Sequence, residues 1–414
     1  MALRFLRAGA VALVLTASVA AQSTDRPPAN DDCLACHSAP SAARATGQPV
    51  VVLPEKYAAS VHAPLACVDC HADLAKVTEF PHPEKLARVS CSTCHEDVVA
   101  KYDLGVHARA RRADPASPAA TCVDCHTAHE IKAASDPTST TYKLNLVGTC
   151  ARCHGDPAII SRGIEAGNVP ASFHDSIHGR ALEKAGLIVA PACGDCHRTH
   201  DILPKSDPES PIHRTKVPST CGTCHAGVGQ LFAASVHGGA LARGMPSAPA
   251  CQTCHTAHGI QRTEREGWQL GAVEECGTCH AEALRTYRDT FHGQVQSLGF
   301  ARIAKCADCH TAHAIHPKED PRSSVSPANV VATCRQCHPS ATENVVGYDP
   351  HADKRDRARS PHVYYVAQAM NVLLAGVFTF FGLHTTLWFW RGFRERRSPA
   401  VPEQRNDDDR GAAE

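Results

Sequence analysis

Hydrophobic positions along this chain gather at its two ends and thin out between them. Residues 1 to 21 carry Arg4 and Arg7, then an apolar stretch from Ala8 to Ala20, then the small residues Val19, Ala20 and Ala21. That three-part order predicts a secretory signal over 1–21. No cysteine stands at the expected cleavage point, which excludes a lipid anchor there. At the far end Val363 to Trp390 has no formal charge, is long enough to cross a bilayer, and holds Tyr364, Tyr365, Trp388 and Trp390 near its ends. Arg391, Arg394, Arg396 and Arg397 follow at once. The pattern predicts one transmembrane helix over 363–390 and, by the positive-inside rule, a cytoplasmic tail over 391–414 that is disordered. Residues 22–362 are then periplasmic, anchored at the inner (cytoplasmic) membrane. A buried core helix is the competing reading of 363–390, and the length of the uncharged run argues against it.

Between these ends the apolar material is scarce. Hydrophobic residues make 43% of the chain and aromatics 5%, with 28 Pro and 27 Gly, so something other than a large Leu/Phe core must fill the interior. Charge selects no partner: Lys+Arg and Asp+Glu balance at 42 each, which leaves no basic footprint for nucleic acid.

The 22 cysteines change the picture, because every one belongs to a CxxCH pentad. The thiol pairs are Cys33 and Cys36, Cys67 and Cys70, Cys91 and Cys94, Cys122 and Cys125, Cys150 and Cys153, and Cys193 and Cys196. They continue with Cys221 and Cys224, Cys251 and Cys254, Cys276 and Cys279, Cys306 and Cys309, and Cys334 and Cys337. Such a pentad is the attachment signature of haem c: two thiols add to the porphyrin vinyl groups and the adjacent histidine meets one face of the iron. The proximal histidines are then His37, His71, His95, His126, His154, His197, His225, His255, His280, His310 and His338. Zinc knuckles give no reason for a histidine after every second cysteine, and a disulfide framework has no use for the histidines at all.

Eleven haems also account for the thin core. The pentads recur about every 30 residues, too short a stretch to bury a core alone. The expected fold is mainly α with much irregular loop and little β, wrapped around porphyrins, and the apoprotein is expected to be largely unfolded. Propionates, two per haem, make the assembled domain acidic.

The pentads repeat in pairs. Those at Cys91, Cys221 and Cys276 are each followed twelve positions after their histidine by another, His107, His237 and His292, and then by a second pentad. The surrounding residues agree, reading GVHA, SVHG and TFHG. The repeat opening at Cys150 reaches SIHG at His178 after about twelve extra residues, and that opening at Cys33 reaches SVHA at His62. A half-repeat opens at Cys334 and places His351 just before the membrane. Four second pentads continue as CHxxH, adding His129, His200, His258 and His313.

These extra histidines are candidates for the second axial ligand. Two histidines of CHxxH are expected about one helical turn apart on one face, too close to straddle a single porphyrin, so the second must reach a neighbouring haem. His62, His107, His178, His237, His292 and His351 with the four CHxxH histidines make ten, and His82 is the eleventh candidate because its repeat lacks the CHxxH extension. The plain alternative for each is a surface or propionate-bonding histidine. His174, His213, His316 and His362 remain as spares.

The pentads, the SVHG-type histidines and the stretch CHRTHDILPKSDP from Cys196 to Pro208 resemble the multihaem cytochromes c of the doubled-CxxCH type. In particular they resemble those that work with a membrane b-type cytochrome in quinone-linked respiratory chains. The resemblance covers roughly residues 33 to 351. The Asp-Pro found seven positions past the CHxxH histidine, at Asp136, Asp207 and Asp320, departs at Arg265 and reads as a turn signal. HTTLWFWR, from His384 to Arg391, is similar to the opening helix of b-type domains, so the b subunit is expected on another polypeptide. His384, inside the membrane segment, suits either a partner haem or quinone, or plain helix packing.

The resemblance implies an electron carrier more than a substrate-specific enzyme, passing electrons along 11 haems between a quinone or b-type cytochrome module and a periplasmic or outer-membrane redox partner. The alternative is a reductase or oxidase of a small nitrogen or sulfur oxyanion, which needs one iron with an open position. No altered pentad marks such an iron.

Overall fold

The computed structural model describes residues 27–161 and 168–397, so the expected signal over 1–21 and the tail beyond Arg397 lie outside the described residues. Among the described residues the chain is helical and irregular with no strand, only an isolated bridge between Ala43 and Pro49. The chain divides into two compact units. One takes the described residues through Gly229 together with Ala250–Gln261, and the other takes Gln230–Pro249 together with the described residues from Arg262 onward.

Apart from the C-terminal one the helices are short, and many of them open or close at a pentad. Second pentads start helices: Cys122–His126, Cys193–His197, Cys251–His255 and Cys306–His310 are each five residues. The aspartate of CxDCH explains these starts. Asp124, Asp195 and Asp308 accept the N–H of the residue before the first cysteine at 2.6, 2.7 and 2.8 Å, satisfying a donor that the helix start leaves orphaned. First pentads instead tend to close a helix, as in Lys143–His154 and Glu266–Cys279.

Few side chains fill the interior. Among the described residues the buried apolar ones are twelve, six of them alanine, and no helix-on-helix core of large residues is seen in either unit. The one cluster of buried apolar residues, Val147, Leu182, Ala190 and Ala192, sits beside the Cys150 and Cys193 pentads.

The C-terminal helix runs from Pro361 to Arg397, 37 residues with none buried, and is long and apolar enough to cross a membrane. It outruns the expected span at both ends. Beyond Trp390 it is extended by Arg391, whose Nε donates to Glu395 Oε1 at 2.7 Å one turn on, and by basic residues in the last turn that suit a helix C-terminus. Residues 391–397 are therefore helical, whereas the whole tail reads as disordered from composition.

Candidate metal centres

The first cysteines of the two pentads in each repeat meet side by side. Cys33 contacts Cys67, Cys91 contacts Cys122, Cys150 contacts Cys193, Cys221 contacts Cys251 and Cys276 contacts Cys306, each within one compact unit. None of the 22 cysteines is joined to another in a disulfide. Second cysteines face the next repeat: Cys125 senses Cys153, Cys196 senses Cys221 and Cys309 senses Cys334. Within each unit the pentads thus follow one another in space in the order of the chain.

Within the two units, and among the described residues, ten histidine pairs accompany them, each joining one pentad histidine to one of the extra histidines. In the first unit His37 lies by His82, His62 by His95, and His71 by His129, with ring centres 6.0, 6.0 and 6.4 Å apart. His107 meets His154, His126 meets His200, His178 meets His225 and His197 meets His258, at 6.0 to 6.2 Å. In the second unit His237 meets His280, His292 meets His338 and His310 meets His351, at 6.1, 6.0 and 6.2 Å. His255 ends the helix Cys251–His255 in the first unit, and His313 follows Cys306–His310 in the second.

The pairing has a rule that the sequence left open. Each repeat lends a ring to the next and receives one back: His62 serves the Cys91 pentad, and His129 returns to the Cys67 pentad. The exchange recurs as His107 with His154 against His200 with His126, as His178 with His225 against His258 with His197, and as His292 with His338 against His351 with His310. The first pentad has no earlier repeat and takes His82 from its own.

Local structure aims these rings. The S-x-H-G stretch is a helix start in which Ser176, Ser235 and Thr290 cap by accepting the N–H of Gly179, Gly238 and Gly293 at 3.0, 3.1 and 3.1 Å. The residue before the histidine pins the neighbouring repeat. Val61, Val106 and Ile177 donate their N–H to the carbonyls of Ile131, Ile202 and Ile260 at 2.8 Å, as Val236 does to Ile315 at 2.9 Å.

CHxxH differs from its expected shape. The helix stops at the pentad histidine, and Thr127, Arg198, Thr256 and Thr311 take φ of 66, 63, 63 and 64° with ψ near 180°. The two histidines are therefore split by a sharp reversal rather than stacked one helical turn apart, and this reversal sends His129, His200 and His258 to other repeats. Ring planes record the difference: the CHxxH pairs are inclined by 8 to 29°, the pairs of the helix-borne His107, His178, His237 and His292 by 33 to 53°.

The donor set fits an iron between the rings of each pair. An imidazole–metal bond is about 2 Å and a ring nitrogen lies about 1.1 Å from its ring centre, so two imidazoles on opposite sides of one metal place their centres about 6.2 Å apart. Burial also lowers the pKa of His71, His107, His126, His129, His178, His197, His237, His258, His292, His310, His313 and His351, which keeps these rings neutral, the form that ligates metal. His37 and His82 donate from Nδ1 to the carbonyls of Val50 and Pro83, both at 2.9 Å, leaving Nε2 for a metal.

The spare histidines sit apart from these pairs. His174 Nδ1 contacts Glu183 at 2.9 Å, His213 Nδ1 contacts Thr215 at 2.8 Å, and His316 lies 3.8 Å from Asp320. His362 opens the C-terminal helix, and His384 stacks on Phe380 within it, with ring centres 6.5 Å apart. Among the described residues no group of three or more His, Cys, Asp or Glu could hold a metal ion by itself. Thr286, which contacts His351, carries no motif and was invisible to sequence reading.

Residues 51–127 match the family described as cytochrome c7 and related cytochrome c. No curated protein and no solved structure matches the chain.

Proposed function

We propose that this chain, a multihaem cytochrome c by its cytochrome c7-type segment and its repeated pentads, carries electrons along 11 covalently bound haems between a membrane module and a partner outside it. Electron transfer follows from the family, and the C-terminal helix supports membrane association. The finer reading is a quinone-reactive or b-type membrane partner, a periplasmic haem domain, and a periplasmic or outer-membrane acceptor.

The observation that carries the reading is the set of ten histidine pairs at 6.0 to 6.4 Å, each built from one pentad histidine and one from elsewhere in the chain. The pentad thiols hold a haem, whose iron supplies one-electron chemistry when bound. At these ten sites the paired imidazoles would fill both faces and leave no place for a substrate oxygen, which favours a carrier over an oxyanion reductase. The reciprocal exchange of rings keeps neighbouring sites in contact, the condition for passing electrons onward.

The purified chain should gain the mass of 11 haems and give a matching pyridine haemochrome. Paramagnetic resonance should show low-spin signals spread over a range, as the ring planes of the pairs are inclined by 8 to 53°. Fewer than ten haems, or a high-spin species in the untreated protein, would count against the carrier reading.

A further inference from the structure

The His310–His351 pair is the one whose extra histidine directly precedes the C-terminal helix. His351 Nδ1 lies 3.0 Å from Thr286 Oγ1. Thr286 is 1% exposed, in the helix Ala281–Asp289, and its hydroxyl lies 3.1 Å from the Glu282 carbonyl and 3.0 Å from that of Ala283. A hydroxyl has one hydrogen. With that hydrogen directed at the carbonyls behind it, as threonine does within helices, Oγ1 can only accept from His351. His351 must then carry its proton on Nδ1, which leaves Nε2 as the only ring nitrogen open to a metal.

The adjacent residue secures the same loop. Arg285 makes a two-bonded fork to Asp353, 3.1 and 2.6 Å, and the Asp353 N–H donates to Ser360 Oγ at 3.1 Å, one residue before the C-terminal helix. His351 N–H donates to Asp349 Oδ1 at 2.9 Å. At the corresponding places before His62, His107, His178 and His237 stand Glu55 and Lys56, Ala100 and Lys101, Ala171 and Ser172, and Gln230 and Leu231, none of them an Arg followed by Thr. By contrast, His71 Nδ1 is buried with no hydrogen-bond partner.

We propose that Thr286 is a positioning residue that locks the Nδ1–H tautomer of His351 and so sets the reduction potential of the site next to the membrane helix. The proposal rests on the reading of His351 as an axial ligand. A ligating histidine that donates from Nδ1 is the more basic ligand, and a more basic ligand favours the oxidised iron. The ring also reaches the Ala283 carbonyl, so removing the Thr286 hydroxyl weakens this donation without abolishing it and should raise that one potential.

The test is a redox titration of the detergent-solubilised full chain with its haems, followed optically and by paramagnetic resonance. Thr286→Val should keep all haems low-spin and shift one midpoint upward, leaving the others in place. Thr286→Ala, which introduces no new branch, should do the same, and Thr286→Ser should restore the wild-type value. An unchanged set of midpoints in Thr286→Val and Thr286→Ala, or a shift as large in Thr286→Ser, overturns the proposal. His351→Ala separates this from the ligand reading. It should convert one haem to high-spin, and if it does not, His351 is no ligand and both readings fall.

Discussion

At the scale of single residues, the S-x-H-G motif is legible as a repeat in the sequence, but the reason for its glycine is not. The helix that carries the histidine begins against a carbonyl in the last turn of the helix before it. A Cβ on Gly179, Gly238 or Gly293 would lie 2.0, 2.1 and 2.1 Å from the carbonyl oxygens of Phe173, Phe232 and Tyr287. Those are backbone atoms and cannot swing aside. Gly238→Ala should therefore push the start of Val236–Ala242 away and displace His237 from His280, at a cost of about 1–3 kcal/mol. Thermal unfolding followed at the Soret band should move down, and one haem should lose its low-spin signature. A stable, fully low-spin Gly238→Ala protein would show that the two helices can separate without moving the ring. The pentads were open to sequence reading because covalent attachment demands a fixed pattern. The hydroxyl of Thr286 was not, because a contact between residues 65 positions apart leaves no local pattern.

At the scale of elements, periodicity misleads where a helix is one turn long. CHxxH has the spacing of a helical face, yet the chain leaves the helix at the first histidine and enters a backbone region that only glycine adopts freely. Strain of about 1–3 kcal/mol per turn is the expected cost of a threonine or arginine there. Thr127 also buries its hydroxyl with no hydrogen-bond partner in the protein. Thr127→Gly should therefore be neutral or stabilising, whereas glycine inside a helix destabilises by about 0.5–1 kcal/mol. Equilibrium unfolding by denaturant of the holoprotein checks the sign; a loss above about 1 kcal/mol would mean that the bound cofactor supplies a partner for the Thr127 hydroxyl. The Asp-Pro that follows is a turn, as its composition suggests: Asp136, Asp207 and Asp320 accept the N–H two residues on at 2.8, 3.0 and 2.9 Å. Ser139, Ser210 and Ser323, three residues past each aspartate, are buried behind it. The turn was readable because aspartate acts on its own backbone, while the reversal at Thr127 is imposed by what surrounds it.

At the scale of the whole molecule, a chain with a dozen buried apolar residues and rings lent from repeat to repeat has little to hold it without its cofactors. The same organisation decides how it meets the membrane. The arginines after Trp390 favour a cytoplasmic C-terminus, but the near flank is as basic, with Lys354, Arg355, Arg357 and Arg359 directly before the helix. These residues are held on the haem side: Lys354 pairs with Asp289 at 2.9 Å, Arg357 lies 5.8 Å from the ring centre of Tyr365, and Arg359 reaches Asp349 at 3.7 Å. Charge bias orients helices joined by short loops, whereas long domains cross largely regardless of charge. More than three hundred residues precede this helix, led by the expected signal, so their export and not the arginines should set the topology. A reporter fused after Glu414 should be active only in the cytoplasm, and protease added to spheroplasts should remove the haem domain. Replacing Arg391, Arg394, Arg396 and Arg397 by Gln should leave both results unchanged. If the reporter moves outside in that variant, the C-terminal arginines govern orientation after all; if it is outside in the unaltered chain, the periplasmic assignment of the haem domain is wrong.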